Sequence, residues 1–260
     1  MADHSPICIG IDPSESELDN WELPDSAAGA REYGLRIIDS AQGRLGIVKP
    51  QVGFFERFGS LGYQTLEEII REAKDAGLLV IADAKRGDIG DTAALYAREA
   101  FERYQADAVT VNPYLGTDSL MPFLQTPGKG TIVLCRTSNS GSGEFQSKLV
   151  NGSSLYKHVA TAAASKWRDI GDTALVMGAT YPQELAEVRG IVDDMPILVP
   201  GIGAQGGDIV SAVRAGRNEV GTGLIINSSR AVLYASNGED FAQASRAVAI
   251  DTRDAIRAAN

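Results

Sequence analysis

The chain has 260 residues, of which 44% are hydrophobic and 22% charged, with a formal net charge of −10. That much apolar material builds a full globular core, and the acidic balance argues against nucleic acid or an anionic membrane as a bulk partner. No run approaches 18 consecutive apolar residues, so no membrane span is expected.

From the N-terminus, short Val/Ile/Leu-rich runs alternate with longer amphipathic stretches. PICIGID (6–12) is the first strand candidate, followed by the helical pattern SAAGAREYGLRIIDSAQ. LGIVKP (45–50) precedes GYQTLEEIIREAKDAG, and GLLVIADAK (77–85) precedes DIGDTAALYAREAFERYQ. AVTVNP (108–113) is followed by DSLMPFLQ, and GTIVLCRT (130–137) by SLYKHVATAAASKW. ALVMGAT (174–180) leads to PQELAEVRGIV, PILVPG (196–201) to GGDIVSAVRAG, and VGTGLIIN (220–227) to the closing EDFAQASRAVAIDTRDAIRAAN. Near-continuous apolar runs suit strands buried on both faces. The alternation, with no shift of composition along it, predicts a single (β/α)8 barrel over residues 1–260. An open doubly wound sheet shares the pattern and is the competing arrangement.

Cys8 and Cys135 each sit inside an apolar run and read as reduced core thiols. With an N-terminal MADHSPICIGIDP that lacks a signal-peptide pattern, they point to a cytoplasmic protein. The two histidines, His4 and His158, have no Cys or carboxylate at metal-ligand spacing, so neither a zinc site nor a Ser-His-Asp triad is supported. Catalysis must then lean on Asp, Glu, Lys, Tyr or backbone groups. In a barrel, such groups belong at the C-terminal strand ends. In order, those ends offer Asp12, Lys49, Asp83 with Lys85, Asn112, Thr137 with Ser138, Thr180, Gly201 with Gly203 and Gln205, and Asn227 with Arg230.

DAKRGDIGDT (83–92) is the most informative segment. Asp83 and Lys85 are two apart on a strand, so alternation turns both side chains the same way. Asp88 follows in the loop, and Thr92 lies one turn into the next helix. An ammonium held among carboxylates stays protonated and can serve as a fixed cation and then as a proton donor. The same residues also fit a structural ion-pair network with Asp88 capping the helix. Lys49, at the end of the neighbouring strand, either joins this network or snorkels to solvent. VPGIGAQGGD (199–208) matches G-x-G-x-x-G, but its place at the seventh strand favours a phosphate loop over a dinucleotide site. Arg230, in INSSRAVLYA, is the candidate cation beside that loop.

With these motifs in order, the chain resembles orotidine 5′-monophosphate decarboxylase, in the variant form with a VKPQ-like second strand. DAKRGDI fits the D-x-K-x-x-D-[IT] signature, and GIDP, VKPQ, TSNSGS, MGATYP, PGIGAQGGD and NSSRAVLYA follow in the family's sequence. The resemblance implies conversion of orotidine 5′-monophosphate to uridine 5′-monophosphate and CO2, the last step of de novo pyrimidine nucleotide synthesis. It implies no metal or organic cofactor, and a homodimer with shared active sites. By motif position, Lys49, Asp83, Lys85 and Asp88 form the catalytic network, with Lys85 stabilising and protonating a C6 carbanion. Asp88 and Thr92 reach the partner's site, Asp12 and Lys49 hold ribose hydroxyls, and Ser138 contacts the pyrimidine. Gln205 bridges base and phosphate, while Gly203, Ser229 and Arg230 line the phosphate. The chain departs from the family where Ser229 replaces the usual Gly before Arg230, and where the stretch after Asp12 is longer than in the commoner form. Sister metal-dependent barrels, which stabilise an enediolate on Mg²⁺, and a non-enzymatic sugar-phosphate sensor are the alternatives.

Overall fold

The apolar runs become strands, and the amphipathic stretches become helices. A computed structural model describes residues 7–43, 45–201 and 208–227. Its strands are β1 (Ile7–Ile11), β2 (Ile47–Pro50), β3 (Leu79–Arg86), β4 (Ala108–Val111), β5 (Gly130–Arg136), β6 (Thr173–Met177), β7 (Ile197–Val199) and β8 (Leu224–Asn227). They close into one barrel in the order β1-β8-β7-β6-β5-β4-β3-β2. Every residue of β1, β6 and β7 is buried, as parallel strands covered on both faces require. The (β/α)8 barrel expected from the alternation is therefore the fold, and the open sheet is excluded.

The helices are α1 (Glu15–Asn20), α2 (Ala27–Ala41), α3 (Val52–Glu56), α4 (Gly59–Asp75), α5 (Gly90–Arg98), α6 (Thr117–Leu124), α7 (Leu155–Ala162), α8 (Pro182–Val192) and α9 (Ile209–Gly216). α4 shows how the pattern works, because Leu66, Ile69, Ile70 and Ala73 recur at helical spacing and are all buried. Where the sequence reading expected unbroken helices, α5 and α7 pass into single wide turns at Glu99–Arg103 and Ala163–Trp167. The closing helix expected at 239–260 lies outside the described residues. Among the described residues no helix is long and apolar enough to cross a membrane.

Two short helices were not anticipated. α1 falls in the long stretch after Asp12, and its signal was Ser14-x-x-Glu17, whose Ser14 hydroxyl accepts from Glu17 N at 3.2 Å. α3 follows Gln51, whose side chain accepts from Gly53 N at 3.1 Å. A hairpin pairing Leu149–Val150 with Ser153–Ser154 was also missed. Its turn is Asn151-Gly152, both at positive φ, the residue pair such tight hairpins favour.

The described residues gather into two compact units, one from 7–84 with 98–109, the other from 85–97 with 110–227. In the first, β1 pairs with β2 so that Gly10 faces Lys49, and β2 pairs with β3 through Val48 and Val80. An isolated bridge between Gln51 and Asp83 continues that pairing. Arg31 on α2 makes a two-pronged contact with Glu68 on α4 at 2.8 and 2.6 Å. In the second unit, Arg189 is buried and donates to the carbonyls of Gly216, Met195 and Gly223 at 2.6, 2.7 and 2.8 Å. It ties the ends of α8 and α9 to the start of β8. Cys8 and Cys135 are buried and free, as expected of core thiols.

Candidate active site

In the first unit, the ends of β1, β2 and β3 bring three charged residues forward. Asp12 follows β1 directly and is half-buried. Lys49 is 4% exposed, and its Nζ donates to Asp83 Oδ2 at 2.8 Å. Lys49 therefore does not snorkel. The alignment of β2 and β3, continued by the Gln51–Asp83 bridge, sets the lysine and the carboxylate across one another. Burial works against the Lys49 ammonium, but the charges of Asp83 and Asp12, the nearby Cys8 and the hydrogen bond to Asp83 outweigh it. The lysine is held above its ordinary value and stays charged. Burial pushes the Cys8 thiol beside it up to about 12, so Cys8 is a neutral wall residue and not a nucleophile. Behind Asp12, Tyr33 is fully buried with its ring 4.5 Å from Trp21. Burial, then the carboxylates of Glu17 and Asp12, keep its hydroxyl protonated.

In the second unit, Lys85 departs from the sequence reading. Strand alternation was expected to turn its side chain the same way as that of Asp83. Lys85 has φ +46, a left-handed conformation inside a strand, and is exposed while Asp83 is buried. Side-chain alternation needs extended backbone, and a non-glycine residue in this region is strained. The strain is held by Thr110 on β4, 1% exposed, whose Oγ1 accepts from Lys85 N at 3.0 Å. Thr110 was not singled out from the sequence, where it is one β-branched residue in an apolar run. Asp88 is half-buried and accepts from Ile89 N at 2.8 Å, while Thr92 is exposed on α5.

The remaining strand ends differ in character. Asn112 is exposed and turns back on its own loop, its Oδ1 accepting from Tyr114 N at 3.0 Å. Ser138 is half-buried after β5, and Thr180 follows β6 with its hydroxyl buried and without a hydrogen-bond partner among the described residues. Asn227 is 8% exposed at the end of β8. Gly203, Gln205, Ser229 and Arg230 lie outside the described residues. At the start of α9, Asp208 accepts from Ser211 N at 2.7 Å, so that helix-end donor is engaged by the chain itself. Among the described residues, no group of three His, Cys, Asp or Glu side chains is placed to hold a metal ion.

In the first unit, the buried pair of Lys49 on β2 and Asp83 on β3 holds a fixed cation at the strand ends, the kind of group that stabilises a developing anion. Comparison with known proteins agrees. The profile of the orotidine 5′-phosphate decarboxylase / HUMPS family matches residues 5–245. An orotidine 5′-phosphate decarboxylase from Cupriavidus metallidurans is 50% identical over 254 residues, covering 97% of this chain and 92% of that protein. One from Cellvibrio japonicus is 48% identical over 262 residues, covering 100% of this chain and 95% of the other. The structure of Leishmania donovani OMP decarboxylase superposes with a TM-score of 0.87 at 38% identity, covering 99% of this chain and 94% of that one. The chain belongs to the orotidine 5′-phosphate decarboxylase / HUMPS family.

Proposed function

We propose that this chain decarboxylates orotidine 5′-monophosphate to uridine 5′-monophosphate and CO2 in pyrimidine nucleotide synthesis, as one catalytic domain over residues 1–260, without metal or organic cofactor. The observation that carries this reading is the buried Lys49–Asp83 pair at 2.8 Å, in a chain about half identical to full-length decarboxylases of this substrate.

Loss of CO2 leaves a localised anion at C6 of the pyrimidine, and the proposed reaction has no cofactor to spread it. Lys85 is the cation we assign to that charge, and then the acid that protonates C6. The hydrogen bond from Lys85 N to Thr110 anchors the backbone from which that side chain leaves the strand. Asp83, kept in place by Lys49, lies close to the departing carboxylate in this scheme. Lys49 and Asp12 hold the ribose hydroxyls, and Ser138 contacts the pyrimidine. Gly203, Gln205, Ser229 and Arg230 bind phosphate and bridge it to the base. Binding energy from the remote phosphate is then spent on closing the site around the reacting ring.

The active form in this reading is a homodimer in a cytoplasmic setting, with Asp88 and Thr92 reaching the partner's site. Exposed Ile89 and Leu95 flank those residues, and Tyr114 and Leu115 after β4 are also exposed. A second copy of the chain is the natural cover for such apolar side chains.

The test is to follow loss of the orotate chromophore with purified protein in the presence of EDTA. Sustained turnover is expected. No turnover would overturn the activity, and turnover abolished by the chelator would overturn its independence of metal.

A further inference from the structure

The MGATYP run after β6 has no part in the reaction proposed above, yet it packs against the segment that carries Ser138. Gly178 N donates to Arg136 O at 2.7 Å. A Cβ built on Gly178 would stand 2.9 Å from Ser138 Cβ and 3.1 Å from both its Cα and its N. Backbone atoms cannot swing aside as a side-chain tip can, so any larger residue displaces Ser138. The position demands space and not an unusual φ, since Gly178 is not among the glycines with positive φ.

The other half of the support is Arg136. The β5–β6 register shifts between Leu134 and Arg136, an irregularity of the kind that re-aims a side chain at the end of a strand. The guanidinium is 4% exposed and donates through Nε to Glu184 Oε2 at 2.6 Å. Its Nη1 donates to Ser142 Oγ and, at 3.3 Å, to Gln146 Oε1. Its face lies 4.0 Å from the centre of the Tyr181 ring. Gln146 in turn grips Thr137, accepting from its N at 2.8 Å and donating to its Oγ1 at 2.8 Å. The loop before and after Ser138 is thus bolted to α8, and Ser138 itself is seated on Gly178.

We propose that Gly178 and Arg136 are positioning residues: they fix Ser138 where it reads the pyrimidine, and so set base recognition without touching the substrate. The proposal rests on the reading of Ser138 as the pyrimidine contact. Hydrogen-bond recognition is steeply sensitive to placement, and a displacement near 1 Å costs up to about 100-fold.

Calorimetric binding of uridine 5′-monophosphate and of ribose 5-phosphate, which lacks the base, separates the roles. We expect Gly178→Ala to weaken the nucleotide by about tenfold or more, with ribose 5-phosphate changed by less than about twofold. Arg136→Lys keeps the charge but loses the fork that spans Glu184 and Ser142. It should show the same selectivity at about threefold or more, and it decides the matter by itself if Gly178→Ala fails to fold. Ser138→Ala is measured alongside. If it weakens the nucleotide while the other two variants bind as wild type does, the positioning role is wrong and the role of Ser138 stands. If Ser138→Ala binds the nucleotide like wild type, the role of Ser138 fails and the proposal falls with it. Equal weakening of both ligands in folded Gly178→Ala or Arg136→Lys protein would mean a general structural role, and would overturn the proposal.

Discussion

Replacing Asp83 by Asn keeps the shape of the side chain and removes the charge that Lys49 faces. In the native chain the two side chains are 10% and 6% exposed and stand 2.8 Å apart. At an effective dielectric of about 20, attraction at that distance is about 6 kcal/mol, and desolvation of the two ions offsets most of it. An exposed pair of the same geometry would be worth about 0–1 kcal/mol, whereas stranding one partner of a buried pair costs about 3–5 kcal/mol. Because Asp12 also holds Lys49 positive, we place the loss for Asp83→Asn at the lower end, about 3 kcal/mol. Lys49→Met strands the carboxylate and should cost a similar amount. The double variant should lose about 4 kcal/mol, less than independent sites would by a coupling of about 2 kcal/mol. The pH dependence has a definite sign. With its folded pKa raised above the unfolded value of 10.5, Lys49 contributes stability that is fully present below 10.5 and lost as pH rises through the folded value. Native stability from this group is therefore flat near neutrality. In Asp83→Asn, burial acts against weaker opposition and the folded pKa drops. Once it lies below the unfolded value, the unfolded chain binds more protons, and stability rises as pH climbs toward the unfolded value of 10.5. Urea denaturation at a series of pH values measures both effects. A loss under about 1 kcal/mol at pH 7, with coupling under about 0.5 kcal/mol, would refute the buried ion pair.

Three further outcomes are expected. Thr110→Val leaves the Lys85 N–H without its acceptor at a cost of about 1–3 kcal/mol; we expect kcat to fall about tenfold or more, with Thr110→Ser near wild type. Inactive Lys85→Ala and Asp88→Ala homodimers, once mixed and exchanged, should regain about a quarter of wild-type activity, because each heterodimer carries one intact shared site. A mixture that exchanges subunits and stays inactive would return Asp88 to its own subunit's site. Arg230→Ala should weaken orotidine 5′-monophosphate while changing turnover of phosphate-free orotidine little; a large effect on orotidine would show that Arg230 is not a phosphate ligand.

The barrel was legible because its cause is local. Strands covered on both faces must be apolar throughout, so ICIGI, TALVM and ILV announce themselves, and helices such as α4 carry the 3.6-residue period of a single buried face. From strand order alone, the charged residues fall at strand ends, and Lys49 and Asp83 could be named. The cap at Ser14 and the turn at Asn151-Gly152 were equally local signals, present in the sequence and passed over. The tertiary structure decided what no period encodes. Lys49 meets Asp83, 34 residues away, because β2 and β3 are neighbours in register. Arg136 reads as the polar end of an apolar run until the fold sets Glu184, 48 residues on, against its guanidinium. Gly178 looks like a flexible residue, yet it is required for the space that Ser138 occupies. Lys85 leaves the extended conformation that its strand predicts, since the hydroxyl of Thr110 on the next strand holds its backbone elsewhere. Propensity and periodicity act over a few residues along the chain, whereas the site is made of contacts between strand ends. Only the pairing of neighbouring strands brings such ends together.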